Sequence, residues 1–246
     1  ILEVHGQGKP LATGVDLLAV ARRTPGFTGA DLANVLNEAA LPTARTDKKL
    51  IDDEVLDEAI DRVIAGPQKR TRIMSAKERK ITAYHEGGHA LVALSVAHAD
   101  PVHRVTIIPR SVGALGATLQ LPTEDRYLLT REELQDRICV LFGGRVAEEL
   151  VFNDISTGAE NDLKEATRLA SRMVAHFGMS ERLGPVYYDH DAEHPFLGMR
   201  VATEGGTSPT TTNVIEEEAR RILGRALEEA GEMLSHHRPA LDRLCD

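Results

Sequence analysis

Polar and apolar residues alternate along this chain mostly at helical spacing. In the first third, Asp16 is placed to cap a helix running through Arg23, and Thr28 with Asp31 opens a second over Ala30 to Leu41. Asp52 opens a third, whose stripe of Val55, Leu56, Ala59, Ile60 and Val63 ends at Gly66-Pro67. The stretch from Gln68 to Met74 carries Lys69, Arg70 and Arg72 with little apolar content and reads as a linker. Ser75 and Glu78 form the next capping box, ahead of Ile81, Tyr84, Gly88, Leu91, Val92 and Ser95 at helical spacing. Val105 to Ile108 and Ala117 to Leu121 are short β-like runs, each closed by a proline (Pro109, Pro122), and predict a hairpin or small sheet. Thr130 with Glu133 predicts a helix to about Leu150, and Thr157 with Glu160 predicts another that Gly178 terminates. Residues 185–209 look irregular, apart from a short Thr-rich stretch at 207–212, and a helical pattern rich in Glu and Arg resumes from Asn213 to about His236.

Composition sharpens this into a mainly α fold. Hydrophobic residues make up 42% of the 246, aromatics 4%, and Trp is absent, which suits Ala/Leu-rich helices better than a sandwich or barrel. That length allows one large domain or two modest ones, and the linker divides it into residues 1–66, a connection at 67–75, and residues 76–246. The net charge of -9 argues against nucleic acid or an anionic membrane surface as a partner, since both select clustered Lys and Arg. Cys139 and Cys245 are far apart and in no paired motif, so a disulfide framework is not expected and a reducing compartment fits. No apolar run approaches the roughly 18 residues of a membrane span, and no signal-peptide pattern opens the chain. Its first residue is Ile1 rather than Met, so it reads as a soluble piece of a longer protein.

The chemistry concentrates at His85-Glu86-Gly87-Gly88-His89, an H-E-x-x-H match inside a capped helix. Residues four apart lie about one turn apart on one face, so two imidazoles can grip a single ion, for which zinc is the natural occupant. Glu86 projects about 100° round the helix and is placed to act as general base on a metal-activated water. The histidines flank an apolar stripe through Ile81, Val92 and Val96 and are expected to be buried. Two glycines within the helix each cost about 0.5–1 kcal/mol relative to Ala, which makes sense if another backbone passes close by.

Such a site needs a third protein ligand. Asp162 lies in the stripe Ala166, Ala170, Met173 and Phe177, while Glu160, Lys164 and Arg168 face the other way. A carboxylate in that position calls for a cation. The rival is Glu149, on the stripe of Leu134, Ile138, Leu141 and Phe142, where Arg145 one turn earlier is available as its ion-pair partner. Asp162 is therefore favoured as ligand, with Glu149 and Arg145 structural or at most supporting the ligands.

The sequence resembles the FtsH family of AAA+ proteases over essentially its whole length. The matching phrases run from Thr24 to Leu41, Thr82 to His89, Asp100 to Arg110, Gly143 to Glu149 and Ser156 to Lys164. The resemblance implies a helical AAA+ lid up to about residue 66, followed by a mostly helical zincin-like peptidase domain with a small β element. It implies one zinc ion per chain held by His85, His89 and Asp162, with Glu86 as catalytic base. It further implies polypeptide substrates, assembly as a homo-hexamer, and ATP-driven proteolysis serving protein quality control. The site of action would be the cytoplasmic face of a bacterial inner membrane, or failing that an organellar membrane. The family commonly has Ala where this chain has Gly87, a difference that should loosen the helix slightly and leave the ligands in place. No G-x-x-x-x-G-K-[ST] loop is present, Gly6-Gln-Gly-Lys-Pro10 lacking its spacing and its Ser/Thr, so ATP with Mg2+ and any membrane anchor belong to segments outside these residues.

The run from Gly116 to Leu121 is a plausible edge for strand addition by an extended polypeptide, or else a structural hairpin. Two alternatives stand against a peptidase. One is an oligomerisation or binding module whose metal site is structural or degenerate, and the other is a different metal-dependent hydrolase using the same motif.

Overall fold

In a computed structural model of the chain, the described residues are 1–46, 48–67, 74–108, 116–121, 128–188 and 208–246. About two-thirds of the described residues are helical, and among them is one two-stranded antiparallel sheet. The chain falls into two compact units, residues 1–79 with 100–125, and residues 80–99 with 126–246. The linker stretch at Gln68 to Met74 lies almost wholly outside the described residues, as do Pro109 and Pro122.

The first unit contains α1 (Leu2–Gly6), α2 (Leu17–Arg22), α3 (Gly29–Arg45) and α4 (Asp53–Ala65). The starts of α2, α3 and α4 are where the sequence placed them, whereas α1 was not expected. Asp16 accepts from Leu18 N–H, Thr28 and Asp31 form a reciprocal capping box, and Asp52 accepts from Val55 N–H. Helix α3 runs past Leu41 and takes Pro42 into its last turn. Proline there removes one helical hydrogen bond, and the hydroxyl of Thr43 donates to Ala39 O at 2.8 Å close by. Val20, Val35, Leu36, Ala39, Ile51 and Leu56 form a fully buried core, and removing a side chain such as Leu36 to Ala costs about 2–5 kcal/mol. Ion pairs of Arg23 with Asp57 and of Glu38 with Arg62 brace α4 from two sides.

The hairpin of this unit pairs β1 (Val102–Thr106) with β2 (Ala117–Gln120), Thr106 opposite Ala117 and Val102 opposite Gln120, with an irregularity between Val102 and Arg104. The first strand is thus shifted towards the N-terminus of the expected Val105 to Ile108. Pairing decides this, because β2 begins opposite Thr106 and leaves Ile107 and Ile108 outside the ladder. Arg104 on β1 pairs with the buried carboxylate of Asp61 on α4.

The second unit holds most of α5 (Ala76–Ser95), then α6 (Arg131–Phe152), a 3₁₀ turn (Thr157–Ala159), α7 (Glu160–Ala175), α8 (Pro209–His236) and α9 (Arg238–Cys245). Two of the three expected capping boxes form, Ser75 with Glu78 and Thr130 with Glu133. The one expected from Thr157 and Glu160 does not. Ser156 caps instead, accepting from Gly158 N–H, so a 3₁₀ turn precedes α7. Helices α6, α7 and α8 pack on one another through Ile138, Phe142, Ala166, Ala170, Met173, Ile222, Ala226 and Ala230, all buried. The many alanines on this list allow close helix approach.

Helix α8 starts at Pro209, capped by Ser208, four residues before the helical pattern was expected to resume. At its far end α9 folds back on α5 and α6. Tyr84 O–H donates to Asp242 at 3.0 Å, and Arg238 donates to the carbonyl of Leu150 in the last turn of α6. Among the described residues no helix is long and apolar enough to cross a membrane.

Candidate metal centre

Helices α5 and α6 meet at glycine. A Cβ built on Gly88 would stand 2.3 Å from Gly143 O, and one on Gly143 would stand 2.7 Å from Gly88 O. The two glycines of the H-E-x-x-H turn thus have separate explanations, since the space beside Gly87 is filled by α9, with Cys245 Sγ 2.7 Å from where a Cβ would be. The contact of α5 with α6 buries His85, Glu86 and His89, each about 8% exposed.

Each imidazole is held from behind by α6. His85 Nδ1 lies 2.7 Å from the Glu148 carboxylate, and His89 Nδ1 lies 2.7 Å from the carbonyl of Val140. An ionised carboxylate and a carbonyl only accept, so both Nδ1 atoms carry a proton and both Nε2 atoms face forward, where each can bind a metal once it is deprotonated. Those nitrogens are 3.1 Å apart. Asp162, in the first turn of α7, brings Oδ2 to 3.3 Å from His85 Nε2 and 3.5 Å from His89 Nε2. Ligand atoms of the three residues lie within 4.8 Å of one another, among described residues the grouping able to hold a metal ion. Two imidazole nitrogens and a carboxylate oxygen converging in a largely buried site form a donor set that a cation satisfies.

The electrostatics point the same way. Burial opposes charge on His85, but hydrogen bonds to Asp162 and Glu148 and the charge of nearby Glu86 outweigh it and push the imidazole up to about 9. Burial likewise works against ionised Asp162, yet the two imidazoles hold its carboxyl well below the usual carboxylate range. Glu148 is also lowered, burial being overcome by hydrogen bonds from His85 and Ser156.

Glu149 is placed elsewhere. It is exposed on α6, and among the described residues no ion pair joins it to Arg145. The residue that meets the site is Glu148, 2% exposed, one position and about 100° earlier on the helix. Sequence reasoning missed it. The available signal was the line Val140, Gly144, Glu148, one residue per turn on the face that carries the glycines.

A helix offering two histidines four residues apart, met by a carboxylate from a second helix, has the donor set of the H-E-x-x-H class of metal sites. The chain belongs to peptidase family M41, whose family model matches residues 72–246, and an AAA+ lid domain model matches residues 14–58. It is 52% identical over 244 residues to the ATP-dependent zinc metalloprotease FtsH of Cutibacterium acnes, covering 99% of this chain and 34% of that protein. It is also 52% identical over 241 residues to FtsH 1 of Conexibacter woesei, covering 98% of this chain and 37% of that protein. With the FtsH of Thermotoga maritima it shares 47% over 246 residues, 100% of this chain and 40% of the relative. The chain therefore spans little more than a third of the length of these relatives.

Proposed function

We propose that residues 76–246 are the peptidase part of an ATP-dependent zinc endopeptidase and residues 1–66 its AAA+ lid, joined through 67–75. The observation that carries this reading is the convergence of His85 Nε2, His89 Nε2 and Asp162 Oδ2, with both Nδ1 atoms already engaged. These three atoms would hold one zinc ion. Bound there, zinc would lower the pKa of a coordinated water to about 7 and polarise a peptide carbonyl. Glu86, next to His85 and buried with it, would take the water's proton on its carboxylate and pass it to the leaving amine nitrogen. Glu148 and the Val140 carbonyl keep each ring in the tautomer that binds metal.

The names of the relatives support ATP dependence and zinc in the full-length protein, where the nucleotide and Mg2+ would be bound by segments outside this chain. Substrates would be unfolded or misassembled polypeptides. Assembly into a homo-hexamer and anchoring at the cytoplasmic face of a bacterial inner membrane rest on the family resemblance, and the bacterial sources of these relatives favour that location over an organelle.

Zinc stoichiometry tests the site. Wild type and Glu149→Ala should each hold one zinc per chain, Asp162→Ala should lose it, and Glu86→Gln should keep zinc while the full-length enzyme loses casein cleavage. Undiminished zinc in Asp162→Ala, or full cleavage by Glu86→Gln, would overturn the assignment.

A further inference from the structure

Helix α6 passes behind the two imidazoles with three consecutive turns facing them. Val140 presents its carbonyl to His89 Nδ1 and Glu148 presents its carboxylate to His85 Nδ1, each at 2.7 Å. Between them, one turn from either, comes Gly144, which is buried. A Cβ built there would stand 2.6 Å from His85 Cε1, 2.6 Å from His85 Nε2 and 2.6 Å from His89 Nε2. Carbon approaches nitrogen no closer than about 3.5 Å without strain, so a methyl group would take the space against the lone pairs that the ion needs.

Neighbouring glycines meet different atoms. Cβ atoms on Gly88 and Gly143 would strike the backbone of the facing helix, so those two glycines serve helix packing. At Gly144 the three nearest atoms all belong to imidazole rings. Gly224, in the middle of α8, has nothing within 4 Å of its missing Cβ. Helix propensity favours Ala over Gly at every such interior position. Only the ligands call for glycine at 144.

We propose that Gly144 is a positioning residue of the metal centre, keeping open the space between the two Nε2 atoms so that the imidazoles can close on zinc. This rests on the zinc reading above. Imidazole rings sit at the ends of rotatable side chains, so a methyl at 144 displaces them without parting the helices. The metal-free Gly144→Ala chain therefore folds, while its ligands no longer converge.

The test compares wild type, Gly144→Ala and Gly224→Ala by zinc affinity, from competition with a chromophoric chelator, and by thermal melting of the metal-free chains. Metal-free Gly144→Ala should still unfold cooperatively, with any drop in melting temperature limited to the ring hydrogen bonds it disturbs, and bind zinc on the order of 100-fold more weakly. Gly224→Ala should melt higher and bind zinc as the wild type does. If Gly144→Ala binds zinc within about threefold of wild type, against the loss expected when a ligand's support is disturbed, the proposal is overturned. It is equally overturned if the metal-free Gly144→Ala chain fails to fold, because the glycine is then a packing residue like Gly88. A wild type that takes up no zinc removes the metal reading itself, an outcome distinct from a failure of Gly144 alone.

Discussion

The carboxylate of Glu148 joins two of the elements that form the metal centre. Its Oε1 accepts from His85 Nδ1 at 2.7 Å and from the Ser156 hydroxyl at 3.0 Å, and its Oε2 accepts from Ser156 N–H at 2.6 Å. Ser156 caps the 3₁₀ turn from which α7 starts, and α7 carries Asp162. One buried side chain on α6 thus fixes the ring of His85 on α5 and the launch point of α7. Substituting Glu148 by Ala strips buried His85 and half-buried Ser156 of their partner, at about 1–3 kcal/mol for the buried imidazole left unsatisfied. The same change should weaken zinc binding by about 10–100-fold. Denaturant unfolding of the metal-free chain and zinc titration measure the two effects separately, and a variant matching wild type in both would contradict this role.

The space beside Gly87 is filled by Cys245 and Leu241 of α9. Gly87→Ala gains up to about 1 kcal/mol in helix propensity. Against that, its methyl would meet Cys245 Sγ at 2.7 Å and Leu241 Cδ1 at 3.3 Å, and overpacking of this kind costs about 1–3 kcal/mol. The expected net change is a loss of about 1 kcal/mol, relieved when Cys245→Ala is added. A double-mutant cycle by chemical denaturation should therefore be non-additive, and additive energies would show that α9 yields freely.

Acid and base should act in opposite directions on the metal-free and zinc-bound chains. His85 rises from 6.5 to about 9 on folding, so its contribution to stability is fully present below pH 6.5 and is lost as pH climbs through about 9. Asp162 is lowered from 3.8, so its contribution is present above that pH and is lost on acidification. Zinc must displace the proton on His85 Nε2, so its affinity should rise by about tenfold per pH unit between 7 and 9. Melting curves across pH 6.5 to 9 should show the metal-free chain weakening, while chelator competition shows zinc binding tightening. A metal-free chain that gains stability across that range would refute the charged His85–Asp162 pair.

Neither thiol should be reactive while the chain is folded. Burial, aided by Glu229, pushes Cys139 up to about 12, and burial with Asp242 and Asp246 pushes Cys245 up to about 11. The thiolate is the nucleophile, so iodoacetamide at pH 8 should label neither at an appreciable rate until denaturant is added. Cys245 is the more exposed and should be labelled first. Mass spectrometry over a time course checks this, and rapid native labelling of Cys139 would mean that the contact between α6 and α8 opens.

What the sequence determined by itself was local. Helix starts at Leu17, Gly29, Asp53, Ala76 and Arg131 follow from Asp, Ser or Thr side chains that satisfy free backbone N–H groups within three residues, a constraint readable in any short window. The spacing of His85 and His89 and the apolar stripe that includes Asp162 are likewise periodic and visible. Tertiary structure decided whatever depends on the phase and approach of two helices. Whether Glu148 or Glu149 meets His85 turns on a rotation of about 100°, which composition does not encode. The choice of Ser156 over Thr157 as cap follows from the buried carboxylate that Ser156 must meet. Gly143 and Gly144 look alike in the chain, yet one lies against a backbone and the other against two imidazoles. Hydrogen bonds to the nearest neighbours are written in sequence, whereas the direction in which a buried side chain points is set by everything packed around it.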